Sequence, residues 1–288
     1  MYAIARLASR SFSILSIAFL ALLSPWVHAA GSVERMYVLY CGESTTKDVS
    51  ANWSPGVNVG VARDFSSNCY LIKHASGWLL WDSGMSDTIA ATPEGVTAAS
   101  GLLTLYVKKT LASQLEALGV APSDIKRVAF SHFHSDHVGN ANLFTAATLY
   151  IQQAEYDAAF GPDAAKFGFA PKFYDKLAGN KTVKLNGDHD VFGDGSVMII
   201  STPGHTPGHQ CLLVHLPQTG AVVLSGDMVH FRDNWDHRRV PARNFNKEET
   251  TQSMERVAKL LKDEHAQLWI NHDKEQSAGI AHAPEAVR

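Results

Sequence analysis

Cysteine is scarce: Cys41, Cys69 and Cys211 are the only three in 288 residues. No CxxC pair occurs, which argues against a cysteine-ligated zinc site. At most one disulfide can form, with one thiol left over, and the spacing leaves the pairing open. A cysteine within or beside an apolar β-like run is ordinarily buried as a small hydrophobe, so none is assigned a catalytic role. Charge is also sparse, at 18% of residues, with 25 Lys+Arg against 28 Asp+Glu. A formal net charge of −3 carries no basic stripe, so nucleic acid is not an expected partner. Repeats, low-complexity tracts, runs of like charge and dividing linkers are all missing, and the 45% hydrophobic content is that of a globular chain.

Long apolar runs are missing too. The stretch Phe12–Leu23 falls short of the roughly 20 residues that span a bilayer. Arg6 and Arg10 precede it, and Ser24-Pro25 and Val27-His28-Ala29-Ala30 follow. A basic start, a short apolar segment and small residues at a cut site predict a signal peptide over residues 1–29. No cysteine follows Ala29, so no lipid anchor is expected. Cleavage removes two arginines and no acid, taking the formal charge from −3 to −5. The expected mature protein is a single domain over residues 30–288, periplasmic or secreted, without a membrane anchor.

Short β-branched and aromatic runs predict strands at Met36–Cys41, Asn68–His74 and Trp78–Asp82, the last two joined by a turn at Ala75-Ser76-Gly77. Further strands are expected at Arg127–Phe130, Thr148–Gln152, Thr182–Leu185, Val197–Ser201, Gln210–His215 and Ala221–Ser225. Helices are expected at Leu111–Leu118, ended by Gly119, and at Lys247–Lys262. Asn246 can cap the second, and Met254, Val257, Ala258 and Leu261 give it one apolar face. Residues 42–66, 84–110, 161–180 and 228–246 read as loop-rich. Strands mixed with helices predict an α/β domain whose loops build the site.

Histidine is what the chain has in quantity, with 14 residues. His132-x-His134-x-Asp136-His137 follows an apolar strand directly. Residues two apart in an extended segment point to one side, so His132 and His134 can reach one ion. A bend would then turn Asp136 and His137 toward a neighbouring position. Imidazole and carboxylate suit Zn²⁺ and similar ions. Three more strand ends each deliver a ligand-type group: Thr202-Pro203-Gly204-His205, Ser225-Gly226-Asp227 and Asn271-His272-Asp273.

This pattern of HxHxDH, TPGHTPGH, SGD and a late NHD resembles the metallo-β-lactamase-fold hydrolases. Within them it is similar to the dinuclear zinc N-acyl-homoserine lactonases, with Cys69-Tyr70-Leu71-Ile72, Leu80-Trp81-Asp82-Ser83-Gly84-Met85, Ala154-Glu155-Tyr156 and His272-Asp273-Lys274-Glu275-Gln276 as supporting pieces. The resemblance implies a four-layer αβ/βα sandwich and two divalent metal ions, with zinc expected. One ion would be held by His132, His134 and His205, the other by Asp136, His137 and His272, with Asp227 bridging them. Asp82 matches the family's aspartate that supports the ligand loop, although a strand-end turn cap explains it equally well.

Two such ions can share a hydroxide, because each lowers the pKa of bound water toward about 7. That nucleophile would open a lactone, with Asp136 passing a proton to the leaving ring oxygen. The resembling lactonases commonly carry a tyrosine three residues after the bridging aspartate, where this chain has His230, whose N–H can donate the same hydrogen bond to a substrate carbonyl. Met85, Phe133, Met228, Phe231 and Trp235 are candidates to line an acyl cleft. His209 is expected to support packing, and His74, His189, His215, His237, His265 and His282 to be exposed or singly hydrogen-bonded. The expected partner is a small lactone or ester. Rival readings are a phosphotriester or aryl-ester hydrolase of the same fold and a mononuclear iron persulfide dioxygenase. The latter would leave Asp136, His137 and His272 without work as ligands. A class B β-lactamase lacks an aspartate at the bridging position.

Overall fold

A computed structural model describes residues 1–2, 33–98 and 101–288. The expected signal peptide lies outside these residues except for Met1 and Tyr2. The first sheet holds eight strands: β1 (Val33–Thr46), β2 (Arg63–His74), β3 (Gly77–Trp81), β4 (Val96–Ala98), β5 (Leu103–Tyr106), β6 (Ile125–Ala129), β7 (Thr148–Gln152) and β8 (Thr182–Leu185). Their order is β4-β5-β1-β2-β3-β6-β7-β8. The second sheet holds five: β9 (His189–Asp190), β10 (Val197–Ser201), β11 (Gln210–Leu216), β12 (Gly220–Leu224) and β13 (Gln267–Trp269), ordered β13-β12-β11-β10-β9. Among the described residues the α-helices are α1 (Leu111–Ala117), α2 (Ser135–Val138), α3 (Gln153–Phe160), α4 (Arg232–Asp236), α5 (Lys247–Asp263) and α6 (Lys274–Ala278).

Side-chain alternation along the strands builds the layers. In β2, Cys69 and Leu71 pack with Leu111 and Leu115 of α1, whereas Tyr70 and Ile72 face Leu212 and Val214 of β11. On β11, Cys211 and Leu213 turn the other way, onto Met254 and Val257 of α5. Strands buried on both faces read as continuous apolar runs, and that is how these segments appear in the sequence. The outcome is helix, sheet, sheet, helix: an αβ/βα sandwich. Each fully buried aliphatic side chain contributes about 1.5–3 kcal/mol, so these three apolar layers dominate its cohesion.

The hairpin between β2 and β3 pairs His74 with Gly77, placing Gly77 at φ +115 after an Ala75-Ser76 turn. Helix α5 begins where expected, with Asn246 Oδ1 accepting the N–H groups of Glu248 and Glu249 at 3.1 and 3.2 Å. The loop-rich expectation for residues 42–66 and 84–110 needs correction. Glu43–Thr46 of β1 pairs with Ser66–Arg63 of β2 on one side and with β5 on the other. Ser44, Thr46 and Ser66 are buried there. Backbone ladders carry this polar stretch, and hydropathy does not register them. The stretch 228–246 also contains α4.

Parallel pairing decides where the site lies. β3 and β6 run side by side, with Trp81 opposite Ala129, and β12 and β13 do the same, with Leu224 opposite Trp269. The residues that follow each strand therefore emerge together at one edge, where α/β folds place their ligands.

Candidate metal centre

Asp82 leaves β3 at φ +58, a left-handed conformation that aspartate tolerates better than most residues. Its Oδ1 accepts the Ser131 N–H at 2.7 Å, and its Oδ2 lies 3.0 Å from Ser131 Oγ and 2.9 Å from His137 Nδ1. The carboxylate thus ties down the loop after β6, which carries His132 and His134 and then turns into α2, bearing Asp136 and His137. His205 comes from the turn after β10, Asp227 from the turn after β12, and His272 from the end of β13.

The structure brings all seven expected ligands together. Ligand atoms of His132, His134, His205 and Asp227 lie within 4.8 Å of one another, as do those of Asp136, His137 and His272. Asp227 joins the groups. Its Oδ1 is 3.0 Å from His137 Nε2 and 2.9 Å from His272 Nε2. Its Oδ2 is 3.5 Å from His205 Nε2 and 3.7 Å from His132 Nε2.

Each of the five imidazoles anchors its remaining ring nitrogen, the arrangement that fixes a metal-ligating tautomer. His132 Nδ1 meets Ser131 Oγ at 3.1 Å, and His134 Nε2 donates to Phe167 O at 3.0 Å. His205 Nδ1 faces Asn244 Oδ1 at 3.3 Å, and His272 Nδ1 donates to Ser66 O at 2.7 Å. His137 uses Asp82, as above. The facing atoms His137 Nε2 and Asp227 Oδ1 are buried, yet neither makes a hydrogen bond. They converge on a shared point, as ligands of one cation do. Donor types, burial and these orphaned atoms together fit a metal ion.

Electrostatics agree with that geometry. Burial, aided by neighbouring imidazoles, holds His132 and His205 well below the ordinary imidazole range, so they present neutral nitrogens. Burial pushes the Asp227 carboxyl up, but His272, His137, His230 and His132 overcome it and hold it well below the carboxylate range. Burial also lowers His137, yet Asp227, Asp82 and Asp136 prevail and raise it well above its ordinary value. These carboxylates favour positive charge at the second position.

His209 holds the site without joining a ligand group. Its Nε2 accepts the Asp227 N–H at 3.0 Å and its Nδ1 donates to Thr202 O at 3.1 Å, while burial pushes the ring down to about 3. His230 lies among the ligands. Its Nε2 is 3.3 Å from Asp227 Oδ2, its ring stacks on His272 at 5.3 Å, and its Nδ1 is buried without a partner. His74 and His282 depart from expectation: His74 is buried, stacked on Phe192, and bonded to both Asp194 and the Ser76 N–H, and half-buried His282 stacks on Tyr40 and uses both ring nitrogens, on Ile280 O and Asn68 Oδ1.

A cleft of about 710 Å³ opens over the cluster, walled by Trp53, Leu103, Phe167, Arg243 and Phe245, with His134, Asp136 and His230 at its floor. None of the five residues expected there lines it. Met85, Phe133, Met228 and Phe231 are at most 2% exposed and belong to the cores, as does Trp235. The reason is directional: Phe133 lies between His132 and His134, so it points away from the side they serve. Sequence reasoning missed Asn244, Ser66 and the Phe167 carbonyl, whose partners lie far along the chain. Cys41 and Cys69 form a disulfide, and Cys211 is free and buried, its thiol pushed up to about 12 by burial.

A sandwich whose loops gather imidazoles and carboxylates at one edge defines a metal-dependent hydrolase. The chain belongs to the metallo-beta-lactamase superfamily, whose domain matches residues 62–264. It is 33% identical over 263 residues to the N-acyl homoserine lactonase AttM of Rhizobium radiobacter, covering 87% of this chain and 97% of that one. Against the N-acyl homoserine lactonase AiiA of Bacillus thuringiensis subsp. kurstaki, identity is 28%, covering 89% and 100%. A solved N-acyl homoserine lactone hydrolase, with the product N-hexanoyl-L-homoserine bound at its catalytic metal center, superposes with a TM-score of 0.77 at 26% identity, covering 89% and 100%.

Proposed function

We propose that this protein is an N-acyl-homoserine lactonase that binds two divalent metal ions, zinc in the first instance. The observation that carries this reading is Asp227, set with one oxygen toward each ligand group at the floor of a cleft with both apolar and polar side chains in its wall. Relatives named as lactonases, similar over nearly their whole length, support it. The bound ions would supply a hydroxide nucleophile at neutral pH and polarise the lactone carbonyl. His132, His134, His205, Asp136, His137, Asp227 and His272 hold them. Asp136, 30% exposed at the cleft, is placed to pass a proton to the ring oxygen as it leaves. Trp53, Leu103, Phe167 and Phe245 offer the acyl chain an apolar wall. The basic and apolar N-terminal segment, together with the Cys41–Cys69 disulfide, supports an exported enzyme, in a periplasm or beyond the cell.

The deciding experiment is a hydrolysis panel on metal-replete mature protein: acyl-homoserine lactones of several chain lengths, phosphotriesters, aryl esters and a β-lactam. Lactone opening well above the metal-free control is expected, and its absence would defeat the reading. In this mechanism His230 donates a hydrogen bond to the substrate carbonyl. His230→Ala is expected to slow lactone turnover by about 10²-fold, the usual cost of one such donor, with metal content unchanged. Unaltered kinetics in that variant would remove the role.

A further inference from the structure

Glu155 takes no part in the chemistry above, yet it is wholly buried beside the centre. It stands in the first turn of α3, and its two oxygens serve two different loops. Oε1 accepts the Phe133 N–H at 3.0 Å, and Phe133 is the residue between His132 and His134. Oε2 accepts the Gly208 N–H at 2.8 Å, in the turn that begins with His205. Gly208 sits so close that a Cβ there would fall 2.4 Å from Glu155 N and 2.7 Å from its Cβ. We infer that Glu155 is a positioning residue, a clasp that sets the spacing between the HxH loop and the His205 turn and so tunes the first metal position selectively.

Several features favour a clasp over a general packing role. The two loops also meet farther back, where the Gln210 N–H donates to Ser131 O at 2.9 Å, but that tie reaches neither the peptide between the paired histidines nor the His205 turn itself. A carboxylate is the acceptor suited to two N–H donors at once; a glutamine offers one oxygen and sets an NH₂ against the other donor. Asp82 reaches both groups through Ser131, whose Oγ meets His132 Nδ1 and His137 Nδ1 alike, and His272 is held by Ser66 O. Glu155, by contrast, bonds only the two loops that carry the first group.

The inference rests on the metal reading and is tested by metal release rather than turnover. Zinc-loaded wild type and Glu155→Gln are titrated with a competing chelator while released zinc is counted, and cobalt-loaded samples are followed by visible absorption. One of the two release steps should weaken by about 10–100-fold in Glu155→Gln, with the other step unchanged and the cobalt bands of one ion altered. A role in packing alone would lower the thermal midpoint and leave both steps and the spectrum as in wild type, and that result overturns the inference. Wild type that takes up no metal overturns the metal reading itself, and the inference with it. Should Glu155→Gln not fold, Gly208→Ala displaces the same contact from the other side and is read against the same two outcomes.

Discussion

Asp227→Asn is expected to lower lactone turnover by on the order of 10³-fold, corresponding to about 4 kcal/mol of transition-state stabilisation. Among the described residues, no other side chain faces both ligand groups with full charge. Its Oδ1 meets His137 and His272, and its Oδ2 meets His205 and His132. An asparagine keeps the shape but has one acceptor oxygen and no charge. The variant would then present an N–H₂ to one group of imidazoles and lose the counter-charge that the proposed pair of ions would share. Elemental analysis should find fewer than two metals per chain after dialysis, alongside the loss in kcat/KM. A variant that retains two metals and wild-type kcat/KM would show that Asp227 does not bridge. The backbone N–H of Asp227, held by His209, is untouched by the change, so the turn itself should persist.

The second large effect concerns stability. Replacing Cys41 and Cys69 by serine, or reducing their bond, should destabilise the fold by about 3–4 kcal/mol, the chain-entropy value for a closed loop of this size. The sequence separation is 28 residues. For a domain of this length, that corresponds to a fall in Tm of roughly 10 °C. The disulfide joins β1 to β2 beside the bulge where their register slips between Tyr40 and Glu43. Cys41 O also accepts the Met85 N–H at 2.9 Å, and Gly84 packs directly on Cys41. Loosening this point reaches the loop that holds Asp82. Scanning calorimetry with and without reductant measures the effect, and a shift within 2 °C would show that the bond contributes little. Cys211 is no substitute partner, being buried with its thiol proton firmly held.

Much of the fold was legible because its strands stand out as short runs rich in β-branched, aromatic and aliphatic residues. Thr148–Gln152, Thr182–Leu185 and Val197–Ser201 fall where the sequence places them. The polar ends of β1 and β2 and the short β4 and β5 were illegible, since their partners, not their side chains, make them strands. The ligand motifs were legible for a different reason. Imidazoles two residues apart at a strand end are a local pattern that needs no knowledge of the rest of the chain. The acyl cleft was not, because proximity in sequence to a ligand says little about which way a side chain turns.

The sequence by itself determined which groups could bind a metal, the strand ends that deliver them, and the family to which the chain belongs. The first two follow from residue type and from periodicities of a few residues, which are local properties; the family follows from the resemblance of its motifs. Only the tertiary structure decided that Asp227 divides its oxygens between two ligand groups, that Cys41 pairs with Cys69, and that Trp53, Leu103, Phe167 and Phe245 wall the cleft. The site and cleft depend on where parallel strands end relative to one another and on hydrogen bonds between distant loops, and the disulfide on the antiparallel register of β1 against β2. Phe133 is the clearest case: lying between two ligand histidines, it faces the core because they face the site.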